Sequence, residues 1–543
     1  MASSISVTTW FRGVSRNSPW FVIAASIHII AFALLSVIYV TRHFQTQDVP
    51  PTAIAMATPS AASVEAAAAP LLEVLNRQAI PENTEVELIP FDELAFQPIV
   101  LSDEPQDLHL PRGDPLALSS LPAGGTGGTA IGAGEGPGRR GTGVPGHVTL
   151  HPGGGGETGR SGPTTRATEA GVLAGMRWLM RHQAEDGSWP VESLRERCSV
   201  VGGQCIDEGV DFSPEYTPGL TALSLLTFLG AGYGHDSKAS VVDEALGERH
   251  VVGEVVKAGL KWLAGEQGPD GAFTNFPGSM YNEALGALAL SEAYGLTHAR
   301  YWKEPAERAI RYLVAGQKDN PTGSGRWGWR YQPGGDSIAD TSVTCWVVMA
   351  LKSARNAGLT VPQECMDGSL AFARWVTGKD GQVGYLDPLA AGAKVSGRNE
   401  QFDYHPGTMS SLGMLIRTFV AHDITDPFLE QAARYIVKDL PAVSADRLSI
   451  DYYYWYYASL ALNQFDGPDS PRKGGTYWDP WNKAMTRAIL DLQDKDEERD
   501  VCTRGGWLAG DRWSYAGGPI YATAINVLTL EVYYRYANAF GAK

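Results

Sequence analysis

The side chains best suited to recognising a ligand in this 543-residue chain are aromatic: Tyr281, Trp346, Tyr452, Trp455 and Tyr521. Such rings bury apolar surface and attract cations through their faces, so a cavity wall built from them suits an apolar or cationic ligand. The unbroken aromatic run Tyr452 to Tyr457 surrounds its own helix, so part of it must pack between helices. Thiols offer a second chemistry. Of the five cysteines, Cys198, Cys205, Cys345, Cys365 and Cys502, at least one is unpaired. Cys198 and Cys205 flank Gly202-Gly203 in one expected loop, where an oxidising compartment permits a disulfide. No CxxC pair or nearby histidine couple accompanies them, so no zinc framework, and no other metal or cofactor, is expected there. Gly132 to Gly136 has the glycine content of a phosphate-cradling loop, but no strand pattern precedes it, and a tether is expected instead.

The elements that must position these residues announce themselves through a repeat. A helix, a glutamine, and a glycine two residues before an aromatic recur at Gln183 to Gly187-Ser188-Trp189 and at Gln267 to Gly271-Ala272-Phe273. A stretched copy runs from Gln317 to Trp327 and Trp329. A recurring unit of this size implies a fold made by stacking one supersecondary piece. Two kinds of helix alternate around it. One kind is amphipathic, with Ala306, Ala309, Ile310 and Leu313 on one face, and likewise Leu429, Ala432, Ala433 and Ile436, or Met485, Ala488, Ile489 and Leu492. The other kind is apolar all round and must be enclosed, with members beginning near Thr217, Met280, Asp340, Tyr404, Ile450 and Tyr521. Six enclosed helices ringed by six half-exposed ones predict an all-α, six-hairpin α/α toroid over residues 166–543.

Upstream, Pro19 to Val40 carries no formal charge and approaches the roughly 20 residues that cross a bilayer. Residues 1–18 are expected in the cytoplasm, 19–41 as a transmembrane anchor, 42–165 as a low-complexity linker, and the toroid outside the cytoplasmic membrane in the periplasm. Arg12 and Arg16 before the span set that orientation. His28 lies mid-span, where a polar side chain is costly. This segment resembles the anchor of TonB-type energy transducers, although Ala24 stands at the place of their serine. The net charge of −16, from 44 Lys+Arg against 60 Asp+Glu, with no basic block outside short arginine pairs, argues against a nucleic-acid surface.

From about Arg166 onward the QxxxGxW phrases and helix alternation resemble the squalene and hopene cyclases and the β-subunits of protein prenyltransferases. The closing run Tyr521 to Tyr536 is similar to membrane-anchored prenyltransferase/squalene-oxidase repeat proteins of planctomycete-type bacteria. The resemblance implies an α/α toroid, but activity does not travel with fold. Where such cyclases carry a DxDDTA-like acid motif, this chain reads Ser337-Ile338-Ala339-Asp340-Thr341-Ser342, with Ala339 at the proton donor's place. Where prenyltransferases hold zinc through an aspartate, a cysteine two residues later and a distant histidine, this chain offers Asp340, then Ser342, and His405; Cys345 is the nearest sulfur. The plainer expectation is that Asp340 caps a helix and Cys345 is core. Ala264-Gly265-Glu266-Gln267 is similar to part of a thioester motif but lacks its cysteine. The expected function is a tethered binding or scaffold module for an apolar, lipid or peptide partner. The alternative is an isoprenoid-processing enzyme with Asp340 and His405 as general acid/base.

Overall fold

The computed structural model describes residues 166–201, 205, 213–243, 246–273, 280–333, 338–472, 474–495, 502–535 and 539–540. The expected anchor with His28, the linker and the Gly132 run lie outside them. Among the described residues no helix is long and apolar enough to cross a membrane.

The amphipathic segments fold as α1 (Arg166–Arg181), α4 (Val252–Glu266), α6 (Arg300–Ala315), α8 (Gln363–Trp375), α10 (Pro427–Ile436) and α12 (Trp478–Leu492). In α6 the buried set is Trp302, Pro305, Ala306, Ala309, Ile310 and Leu313, the face that periodicity picked out. Between them run α3 (Thr217–Gly230), α5 (Met280–Thr297), α7 (Thr341–Asn356), α9 (Gly407–Ala421), α11 (Tyr452–Asp466) and α13 (Gly518–Leu530), which are buried along almost their whole length. Each buried helix packs on the next in chain order, and α13 packs back on α3, so their contacts close into a ring. The short helices α2 (Leu194–Val201) and α14 (Val532–Arg535) complete the set among the described residues.

One departure from an all-α chain is a two-stranded antiparallel ribbon, β1 (Ser240–Asp243) with β2 (Glu248–Val251). The β-branched pair Val241-Val242 favours it, and Asp243 at its end is drawn in by Arg181, whose Nε stands 2.7 Å from the carboxylate with both side chains buried. A second departure places Cys198 in helix α2 rather than in a loop.

The repeat phrase proves to be the joint between hairpins. Gln183 donates to the Gly187 carbonyl and across to Val255 of α4; Gln267 donates to Gly271 and across to Pro305 of α6; Gln317 donates to Trp327 and across to Cys365 of α8. The indoles of Trp189 and Trp329 donate back to Leu179 and Leu313 of their own outer helices. Their backbone amides donate to Thr221 and Thr344 on the inner helices. Each glutamine side-chain amide nitrogen therefore ties its own turn to the next outer helix, while the amides of Trp189 and Trp329 tie the turn to an inner helix. The Gly505-Gly506-Trp507 connection supplies the final joint: Gln493 donates to Gly505 and to Gly171 of α1, so the last outer helix grips the first.

Candidate functional site

The second residues of α5, α7 and α11 meet through hydroxyls, which puts the N-terminal ends of these inner helices at one place. The Tyr281 hydroxyl lies 2.7 Å from Ser342 Oγ, which lies 2.5 Å from the Tyr453 hydroxyl. Burial holds the Tyr281 and Tyr453 phenols well above their ordinary pKa, so at neutral pH this relay is uncharged. A second pair, Tyr331 and Tyr385, shares a hydrogen bond of 2.5 Å beside it.

Asp340 sits at the centre of this end. Its backbone amide bonds to the carbonyl of Trp329, its neighbour Thr341 donates from amide and hydroxyl to Tyr385 and Gly384, and its Oδ1 accepts the Val343 amide at 2.8 Å as the cap of α7. The repeat joint and the loop at 384–385 thus fix the carboxyl between them. It is fully buried; Oδ2 has no donor in good hydrogen-bond geometry, although the Ser342 amide and the Tyr385 hydroxyl lie close enough to favour the carboxylate. Burial raises its pKa to about 7 against the Val343 amide and the Arg330 charge, both of which favour the carboxylate.

Two further acids extend the site toward α13. Asp451 caps α11 through the Tyr454 amide at 2.8 Å, and Asp511 accepts the Tyr452 amide at 3.1 Å and the Ser514 amide at 3.0 Å. Burial, then the neighbouring Asp451 charge, raises Asp511 to about 7. Tyr521, four residues into α13, is raised by burial and by these same carboxylates, and its hydroxyl has no hydrogen-bond partner.

A proton held in the folded state and released in the unfolded one makes stability fall as pH rises. For Asp340 the contribution is complete below about pH 4, where both states are protonated, and is lost on the way to pH 7. Asp340→Asn keeps a capping oxygen and carries no charge. The variant is expected to gain at least about 1 kcal/mol on the parent between pH 5 and pH 8, read from urea midpoints at the two pH values. Parallel pH profiles for parent and variant would show the carboxyl to be ionised throughout.

Of the residues expected to line a cavity, Tyr281 and Tyr521 stay partly exposed at this end. Trp346 is buried against Tyr456 and Tyr457 of α11, and Tyr452 and Trp455 are buried and meet edge to face along α11 itself. His405 does not join Asp340. Its Nδ1 is 2.6 Å from Asp439 and its Nε2 is 3.1 Å from the Ser449 carbonyl, with the ring stacked on Tyr454. Burial opposes its protonation, but the Asp439 hydrogen bond and the Asp451 and Asp439 charges outweigh it and raise the pKa. Both ring nitrogens are thus engaged with Asp439 and Ser449, not with Asp340. Nor do Asp340, Cys345 and His405 gather around a common point: among the described residues one other group of side chains could hold a metal. Tyr331, Tyr385 and Asp511 are delivered by loops, so no helical period in the sequence points to them.

The reading of Cys198 and Cys205 also changes. All five cysteines are free, and the two are joined by His182 and Cys502, so the absence of a histidine near them in sequence does not hold in space.

No family model matches the sequence, and no curated protein matches it. Among solved structures, the chain is similar to an inactive variant of α-1,6-mannanase of Salegentibacter sp. HEL1_6 in complex with α-1,6-mannotriose. The identity is 13%, with 67% of this chain and 98% of that one covered at a TM-score of 0.43. It is also similar to the type II terpene cyclase MstE from Scytonema, with 14% identity, 67% and 97% coverage and a TM-score of 0.41. A protein from Actinoplanes shows 14% identity, 68% and 99% coverage and a TM-score of 0.38. Similarity of this degree assigns no activity.

Proposed function

We propose that the chain is a membrane-tethered binding module, built as a six-hairpin α/α toroid of the terpenoid-cyclase and prenyltransferase type. It receives an apolar ligand with one hydrogen-bonding head at the N-terminal end of the inner helices. The carrying observation is the pairing of the mostly buried, partly exposed rings of Tyr281 and Tyr521 with buried polar atoms that lack a well-formed hydrogen bond, Asp340 Oδ2 and the Tyr521 hydroxyl. Each such atom costs about 1–3 kcal/mol when unsatisfied, and a ligand head that hydrogen-bonds them recovers that cost while the rings cover its apolar body.

The test is lipid extraction from the full-length chain purified in detergent, compared with Tyr281→Ala plus Tyr521→Ala in the same detergent. A lipid held by the parent at near-stoichiometric level and depleted at least fivefold in the variant supports the reading; equal lipid in both overturns it. One observation favours a second reading, acid chemistry on an isoprenoid: Asp340 keeps its proton to about pH 7, as a general acid must. Conversion of a supplied polyprenyl substrate by the parent and not by Asp340→Asn would select this second reading. Binding retained by both without conversion selects the first.

A further inference from the structure

His182, Cys198, Cys205 and Cys502 bring one imidazole nitrogen and three sulfurs within 4.8 Å of one another, and all four side chains are buried. They arrive from distant parts of the chain. His182 follows α1, Cys198 belongs to α2, Cys205 comes seven residues later, and Cys502 lies between Gln493 and Gly505 of the last repeat copy. His182 Nε2 is 3.2 Å from the Cys502 sulfur and 3.5 Å from that of Cys205, and these two sulfurs are 3.0 Å apart.

The imidazole is oriented as a ligand. Its Nδ1 lies 2.8 Å from the Trp178 carbonyl oxygen, which can only accept, so Nδ1 carries the proton and the Nε2 lone pair points at the sulfurs. The ring also stacks on the Trp178 indole at 4.0 Å, which holds its plane. Packing alone gives no reason to steer three thiols and an oriented imidazole to one buried point.

We propose that His182, Cys198, Cys205 and Cys502 form a structural zinc site that locks the first repeat of the ring to the last. Three thiolates and one imidazole are a Cys3His donor set, which satisfies tetrahedral zinc and leaves no coordination position open for catalysis. Soft sulfur donors disfavour magnesium and calcium. The position gives the ion its purpose. A ring made from a linear chain has one seam where no connection continues from one hairpin to the next, and here α12 and α13 meet α1. Gln493 crosses that seam to Gly171, and Arg181 crosses it to the Arg504 carbonyl at 3.3 Å. The four ligands straddle the same seam, so the ion would add a cross-link between residues 198–205 and residue 502.

The experiment is metal analysis of the full-length chain, purified without chelator, alongside Cys502→Ser, His182→Asn and, as a control at a buried thiol elsewhere, Cys365→Ser. About one zinc per chain is expected in the parent and the control, falling at least fivefold in both site variants. Because a site variant can fail to fold, the parent is also stripped of metal by a chelator and refilled with cobalt(II). Intense sulfur-to-cobalt charge-transfer absorption, with the visible bands of a tetrahedral ion, is then expected, and stripping should lower the melting temperature by at least about 5 °C. Alkylation followed by mass mapping closes the remaining outcomes. A disulfide between any two of the three cysteines, three freely alkylated thiols in a metal-free parent, or zinc that persists in both site variants would each overturn the proposal.

Discussion

Arg535→Ala is expected to destabilise the chain by about 3–5 kcal/mol, the loss typical of removing one partner from a buried charge cluster. Arg535 of α14 is fully buried. One guanidinium nitrogen lies 3.0 and 2.9 Å from the two carboxylate oxygens of Glu292 on α5, and the other lies 2.5 Å from the Leu226 carbonyl on α3 and 3.7 Å from Glu531. Burial raises the pKa of both glutamates, and Arg535 opposes that shift in each. Removing the guanidinium leaves two buried carboxyls without their counter-charge, and they take up protons in the folded state only. The loss should therefore be larger at pH 8 than at pH 5, since the unfolded chain releases those protons as pH rises. Adding Glu292→Gln should recover at least about 1 kcal/mol by deleting one stranded charge, a coupling that a double-mutant cycle in urea reads directly. If Arg535→Ala shifts the midpoint by under about 1 kcal/mol at both pH values, the cluster is solvated and the account fails.

This clasp and the Asp340 end show which parts of the molecule the sequence could disclose. The alternation of outer and inner helices was legible because it is a local property. A helix such as α9, apolar all round, can exist only if enclosed, and α6 displays its buried face at helical spacing. The capping role of Asp340 was legible for the same reason, since Asp340-Thr341-Ser342-Val343 holds donor and acceptor in one turn. What stayed hidden depends on ring closure. Glu292 and Arg535 are 243 positions apart, and His182 and Cys502 are 320 apart, so no local spacing rule links them. The last repeat copy was obscured differently: residues 494–504 separate Gln493 from Gly505, and Cys502 sits in that insertion. Gly505-Gly506-Trp507 marks the copy, and the insertion between it and Gln493 delivers the thiol. Aromatic richness is ambiguous by nature: Trp346, Tyr452 and Trp455 are buried, and large rings fill the space between helices as readily as they line a cavity.

Gly271→Ala is expected to cost about 3 kcal/mol or more, a large penalty for adding one methyl group, because two independent costs fall on the same atom. Gly271 has φ of +100°, a conformation that costs an L-residue roughly 1–2 kcal/mol. A Cβ there would lie 2.4 Å from the Arg308 carbonyl oxygen and 2.7 Å from its carbonyl carbon. Those are backbone atoms in the middle of α6, so the clash cannot be relieved by turning a side chain. Relief would require α6 to retreat, and retreat would stretch the bond from Gln267 to the Pro305 carbonyl, 3.0 Å in the intact joint, and the 3.0 Å bond from Arg308 to Gln267. Gly187 repeats the arrangement one joint earlier, with φ of +98° and its Cβ position 2.5 Å from the Ala258 carbonyl oxygen on α4, so Gly187→Ala should lose a similar amount. The control is Gly265→Ala in α4, where a Cβ meets nothing within 4 Å. There alanine should be neutral or stabilise by up to about 1 kcal/mol through better helix propensity. Urea midpoints of the three variants decide the matter. If the Gly271 and Gly187 variants match the Gly265 control, the joint tolerates a wider spacing and the outer helices are not held by close approach of backbone to backbone.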